Sequence, residues 1–362
     1  MNRRLVGACV AVLALVFVVA GCSGTGTPGA ASSAVPSTVG TGTRTFTDDA
    51  GRQVQLPADI QRVAPSGAQA QLVLFSLCPD KMVGLASSFS GDQFQYLDKK
   101  YQSLPVFGSF YSGTLNMEAV MAAAPQVIID IGDTKPDNVS DLDGIQQRTG
   151  IPTVFIQMTL STLDAAYARL AQVTGDGAQA SAITSYLDQT LGGIAQKVAT
   201  IPAAQRPSVY YGQNDGLTAT VAGTSHTQVI DLVGATNVAQ VAGSSNTASI
   251  SMEQLMVWNP DVILLAPGDA YASVATAPAW QGLSAMQTGK FYEIPAGPYN
   301  WMDQPPSINQ VLGAVWLANL LYPDVFTDDM VTQAQTFYSL FYHCTLTDDQ
   351  ARALLADSTL KR

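Results

Sequence analysis

Few side chains in this chain could do covalent or metal chemistry, and their spacing narrows what they could do. There are two histidines and four cysteines in 362 residues. Neither His226 nor His343 stands in a His-Glu-x-x-His pattern, and neither a Gly-x-Ser-x-Gly elbow nor a P-loop glycine-lysine run occurs. A secreted hydrolase on a two-lobed α/β fold would have to draw its base from one of these histidines, and neither has a suitable local context. A bare zinc or manganese site gathers several histidines and carboxylates, which two histidines do not supply. No catalytic residue is assigned, and His226 is the one candidate for direct metal contact. It opens a helix after the 218–221 segment, where it can complete a chelate's coordination shell, hydrogen-bond a ligand, or simply start a surface helix. His343 lies in an aromatic-rich terminal helix and reads as structural.

The second set of chemical interest is acidic and occurs twice. Asn116 to Ile129 returns as Ser251 to Leu264, with six of fourteen positions identical. In each copy a capping residue, Asn116 or Ser251, precedes a short helical pattern. Met117, Val120, Met121 and Ala124 fall at i, i+3, i+4 and i+7 and predict one apolar face. Pro125 or Pro260 then stops the helix, and a β-branched run follows as a buried strand. Glu118 and Glu253 occupy the first turn, off the apolar face, where a carboxylate complements the helix dipole.

The elements that position these groups alternate between strand and helix. Residues 45–57 read as a hairpin turning at 49–51, followed by a strand at 62–65 and a helix opening at Ser66-Gly67. Further strands are predicted at 82–85, 105–107, 127–130 and 153–156. A long helical region runs from about Leu163 to Thr200, broken near Gly175. The pattern restarts with strands at 208–211, 262–265 and 291–294, and 307–360 is helical. This predicts an α/β protein of two Rossmann-like lobes, joined by one long helix, with a cleft between them. The divisions are a first lobe over 44–160, a linker region over 161–204 and a second lobe over 205–362.

Ahead of the folded part, Arg3-Arg4 and a 16-residue apolar run from Leu5 to Ala20 fall short of the roughly 20 residues that span a bilayer and read as a signal peptide over 1–21. Its exit, Val19-Ala-Gly-Cys22, resembles a bacterial lipobox, which implies lipidation of Cys22. Residues 22–43 form a flexible tether, since after Cys22 they are Ser, Thr, Gly, Ala and Pro with only Val35 and Val39 as larger apolar groups. Removal of Arg3 and Arg4 takes the formal charge from −11 to −13. That argues against nucleic acid or an anionic lipid surface, so the membrane is met through the lipid anchor only. Cys78 and Cys344 remain in the exported chain, either as a disulfide or as two separate thiols.

In open α/β sheets ligands bind beyond the carboxyl ends of the strands. Those ends lead here into loops carrying Ser66, Phe89, Phe110 and Tyr111 in the first half. In the second they carry Tyr211, Asn214, Tyr299, Trp301 and Met302. Glycines beside aromatics suit a large, flat or partly apolar ligand.

Several of these stretches together resemble one family. They are Thr47 to Pro57, Gln61 to Pro65, Met82 to Leu85, the two Met-Glu segments at Glu118 and Glu253, and Trp301 to Ser307 running into Trp316 to Pro323. The chain resembles the substrate-binding lipoproteins of ABC importers for iron-siderophores and vitamin B12, whose lobes are joined by a single long helix. The resemblance implies a monomeric binding protein, not an enzyme, with no cofactor of its own. It implies a metal chelate as ligand, delivered to an ABC permease and its ATPase through Glu118 and Glu253. No Lys or Arg lies in the loops named above, and only Lys135 is near their rim. A highly anionic tricatecholate complex wants several cations, so the ligand expected is a ferric hydroxamate, with a corrinoid, haem or nickel chelate as the alternatives. The envelope follows as the outer face of the cytoplasmic membrane or the periplasm.

Overall fold

Valine-, isoleucine- and leucine-rich runs buried on both faces make the strands at 127–132 and 262–265. The computed structural model describes residues 42–358 apart from 90 and 244. The signal segment 1–21, Cys22 and the tether up to residue 41 lie outside the described residues. The hairpin forms as expected from β1 (Thr43–Thr47) and β2 (Gln53–Pro57), paired antiparallel. The first sheet is parallel, with β4 (Val127–Gly132) between β3 (Val63–Pro65) and β5 (Thr153–Gln157). Around it lie α1 (Ala68–Leu77), α2 (Met117–Ala122) and α3 (Asn138–Thr149).

The join is helical. α4 (Leu163–Thr174) ends on left-handed Gly175, and α5 (Gly177–Ala199) runs for 23 residues, a rod of about 34 Å. A second, larger sheet follows. Its strands are β6 (Ser208–Gln213), β7 (Thr218–Thr220), β8 (Thr236–Asn237), β9 (Thr247–Ser249), β10 (Val262–Leu265) and β11 (Phe291–Glu293). The order is β11-β10-β6-β7-β9, with β8 also on β6. β10, β11, β6 and β8 pair in parallel, and β7 and β9 add an antiparallel edge. The helices here are α6 (Gln228–Leu232), α7 (Met252–Trp258), α8 (Asp269–Thr276) and α9 (Ser284–Gln287). The terminal helices are α10 (Asn309–Leu321), α11 (Met330–Phe341) and α12 (Asp348–Leu354).

The two repeated segments therefore lie in two different sheets, β4 in one and β10 in the other. Both strands are buried on both faces. Val262 and Leu264 join the main core while Ile263 and Leu265 face a second cluster with Tyr210 and Trp280. On β4, Val127, Ile129 and Ile131 face the main core and Ile128 the other side. The two-residue pleat puts Asp130 on the Ile128 side.

Two expectations need correction. Residues 82–85 and 105–107 are not ladder strands but meet their neighbours at single bridges, Val63 with Met82 and Leu85 with Val106. Pro105 has no amide to donate there. The predicted apolar face of α2 is narrower than its spacing suggests, since Val120 is its buried residue while Met121 is 41% exposed. Of the two alternatives for Cys78 and Cys344, the structure has the separate thiols. Cys78 closes α1 inside the main core, whereas Cys344 follows left-handed His343 at its edge. Burial pushes the Cys78 thiol up to about 12.

Candidate functional site

Each half of the molecule sinks one carboxylate at the carboxyl end of its sheet and aims it with hydroxyl donors. In the first half that group is Asp130, only 2% exposed. Ser66 follows β3, and its amide bonds Ile129 O at 3.0 Å. This sets its hydroxyl to donate to Asp130, and the Tyr111 hydroxyl donates to the other carboxylate oxygen at 2.7 Å. The loop bearing Tyr111 is held by Phe110 N donating to Ser66 O at 2.9 Å. The Lys135 ammonium sits 3.6 Å from the Tyr111 ring centroid, a cation–π contact. Burial raises the Asp130 pKa, against the lowering effect of Ser66, Tyr111 and Lys135. Gly132 ends β4 at φ 155, where a Cβ would come within 2.9 Å of Gln69 Oε1, so the glycine leaves Gln69 room to reach across.

In the second half the group is Asp303, fully buried. The Tyr211 hydroxyl donates to it at 2.5 Å, and Gln213 Nε2 donates at 3.0 Å. His226 Nδ1 lies 3.1 Å from the same carboxylate, with the ring side chain 21% exposed. Asn300 in turn donates to the Tyr211 hydroxyl at 3.1 Å. β6 supplies Tyr211 and Gln213 on alternate positions, so both reach one point.

The halves meet at a seam of side-chain amides. Gln69 donates to Pro306 O at 2.8 Å, Gln93 to Pro298 O at 2.7 Å, and Gln71 to the Tyr299 hydroxyl at 3.3 Å. Ser225, beside His226, lines a small gap there with Gln69, Met158, Pro306 and Gln310. A larger cavity of about 530 Å³ lies against α5 and contains none of the carboxylate-linked groups.

The predicted ligand residues divide into two groups. Ser66, Tyr111, Tyr211 and His226 are brought onto the two carboxylates, and Tyr299 sits half-buried on the seam, its hydroxyl pushed up to about 12 by burial. Phe110 packs edge-on to Tyr111, with ring centroids 5.4 Å apart. The rest are corrected. Trp301, Met302 and Phe89 are core side chains, at 1%, 0% and 5% exposure, and offer no stacking platform. Trp301 is pinned because its carbonyl lies 2.1 Å from where a Cβ on Gly313 of α10 would stand. Asn214, exposed with φ 55, bonds only Thr218 and serves the β6–β7 turn. Glu118 and Glu253 are both exposed, one on each of the repeated helices. The backbone amide of Glu253 and the Ser251 hydroxyl hold the Glu253 carboxylate below its usual range. His343 is structural in its contacts, its Nε2 lying 3.1 Å from Ser76 O.

Sequence reasoning missed Asp130 and Asp303. The first was readable as a lone acid inside Val-Ile-Ile-Asp-Ile-Gly, a run otherwise fit for a strand buried on both faces. The second was passed over within the Trp301 to Ser307 stretch.

Comparison with known proteins agrees with this architecture. A model of the periplasmic binding protein family matches residues 64–298. The molybdate-binding protein MolA of Haemophilus influenzae is 24% identical over 336 residues, covering 85% of this chain and 93% of MolA. An ABC transporter solute binding protein from Sulfurospirillum deleyianum superposes with a TM-score of 0.80 at 27% identity, over 86% of this chain and 99% of that one. A periplasmic solute binding protein from Veillonella parvula gives 0.73 at 25%, over 88% and 98%. With two sheets, a helical join and a polar seam between the halves, the chain belongs to the periplasmic binding protein family.

Proposed function

We propose that this chain is the substrate-binding lipoprotein of an ABC importer, anchored through Cys22, and that it holds a metal chelate, a ferric siderophore of the hydroxamate class, between its lobes. The observation that carries the reading is the pairing of half-buried His226 with the buried Asp303 carboxylate. A carboxylate accepting from one imidazole nitrogen fixes the ring and leaves the other nitrogen's lone pair free for a metal. His226 is thus suited to fill one open position on a chelated ion, with the chelator supplying the rest. On the opposite side Tyr111 and Lys135 offer a hydroxyl and one cation, enough for a nearly neutral complex and too little for a highly anionic one. Glu118 and Glu253 are the contacts to the permease in this reading.

The test is titration of the chain lacking residues 1–22 with a ferric hydroxamate, followed by calorimetry and by the visible charge-transfer band. Binding should be tight, and His226→Ala should weaken it about tenfold or more, the loss expected of a charge-assisted or metal-directed contact. It should also shift the band. Unchanged affinity and an unchanged band in H226A would sink the metal-contact role. A second reading has its own support: MolA, whose name records molybdate, is similar over most of this chain. Under that reading Lys135 and the free ring nitrogen of His226 would face a tetrahedral oxyanion, and molybdate would produce the heat that the ferric complex does not.

A further inference from the structure

The repeated helices carry something besides their glutamates. Glu118 is followed three residues on by Met121, and Glu253 by Met256. Positions i and i+3 share a face, so each short helix presents a carboxylate with a thioether beside it. Both methionines are exposed, at 41% and 42%, and Val257 next to the second is 79% exposed. Among the described residues eight large apolar side chains are exposed, and three of them stand on α2 and α7. The helices have buried anchors of their own in Val120 and Leu255, so the methionines are not needed to hold them down. Met256 lies across Gly282, its methyl carbon 2.9 Å from where a Cβ there would stand. No ion pair to either glutamate forms among the described residues.

We propose that each lobe docks through a two-part knob, a carboxylate and an adjacent methionine, and that the partner is a permease of two related halves. Each half would offer a cation next to an apolar socket. This rests on the permease-docking reading above and adds to it the apolar component at each lobe. Two features of the molecule point to that partner. The same pair recurs at matching positions of two separate sheets, which only a partner with a repeated surface can meet in the same way twice. The negative charge sets the sign of the complementary group. Methionine, unbranched and polarisable, seats well in sockets whose spacing changes as the transporter cycles.

The experiment measures binding of the full folded chain to its own permease–ATPase complex in lipid nanodiscs, at two salt concentrations. M121S/M256S should bind about tenfold more weakly, the scale of two partly buried thioether side chains, while its melting temperature and its response to salt stay as in the parent. M121L/M256L should bind within about twofold of the parent, and E118Q/E253Q should bind weakly with a flattened salt response. If the serine pair binds like the parent while the glutamine pair fails, the knob is refuted and charge docking survives. If the glutamine pair binds like the parent and the serine pair fails, the methionine half stands and the charge half falls. If neither weakens, both are overturned. Should serine lower the melting temperature, M121Q and M256Q singly give the same reading.

Discussion

Asp130 is a carboxylate placed where its charge is costly, and this makes a prediction about pH. Burial raises its pKa above the ordinary carboxylate value, with Ser66, Tyr111 and Lys135 offsetting only part of the shift. The folded chain therefore holds this proton more tightly than the unfolded chain does. The group's contribution to stability is full below the ordinary value and is lost as pH rises through the raised folded value. Asp130→Asn removes that slope. The stability of the variant relative to the parent should rise as pH increases through the raised folded value and fall back toward acid pH. Thermal melts of both proteins across pH 4 to 8 check this, and an equal offset at every pH would refute it. The acid fixes the Ser66 and Tyr111 hydroxyls through its two oxygens, so its cost comes with a defined local geometry.

At the scale of elements, α5 carries a feature that packing does not explain. Gly192 and Gly193 lie in its middle, and a Cβ on either would meet nothing within 4 Å. Each glycine costs about 1 kcal/mol of helix stability relative to alanine, and no neighbour requires the space. Gly192→Ala with Gly193→Ala should therefore raise the melting temperature by about 4 °C, read by calorimetry; a decrease would mean that the helix bends there in the folded state. The helical join was legible because its 163–200 pattern is long and its break falls at Gly175 and Gly177, where left-handed Gly175 ends α4. β4, β6 and β10 were legible because β-branched runs after a proline or polar turn have few alternatives. The antiparallel β7–β9 edge was not, since Thr218–Thr220 and Thr247–Ser249 are too short and polar to carry a period. The site was half legible for a related reason. Strand ends and loop residues could be ranked by position, but whether Trp301 faced the cleft or the core depended on how closely α10 approaches it. That is a tertiary fact, fixed by Gly313, which no local pattern announces.

At the scale of the molecule, two acidic helices stand on two sheets tied by one rod, and this shapes how loading can be sensed. Charge reversal at either site, E118K or E253K, should abolish uptake into cells while ligand affinity measured by calorimetry stays within about twofold, since both residues are exposed and belong to neither carboxylate cluster. A large loss of affinity would instead place them in the binding machinery. The amplitude of closure follows from the core. The main hydrophobic cluster runs from Phe46 through α5 residues Ile183 and Ile194 to Leu355, taking in side chains behind both sheets, and the amide seam at Gln69, Gln71 and Gln93 already joins the halves. A packed core resists continuous deformation, so ligand binding should move the lobes by a small hinge rotation in place of a wide swing. Small-angle scattering should then show the radius of gyration falling by less than about 1 Å on loading. A change of several ångströms would require this core to part between the sheets. If closure is that slight, Glu118 and Glu253 differ little in separation between empty and loaded states. The empty chain should accordingly still stimulate the transporter's ATPase to a measurable fraction of the loaded rate, and a strict dependence on ligand would contradict a stiff hinge.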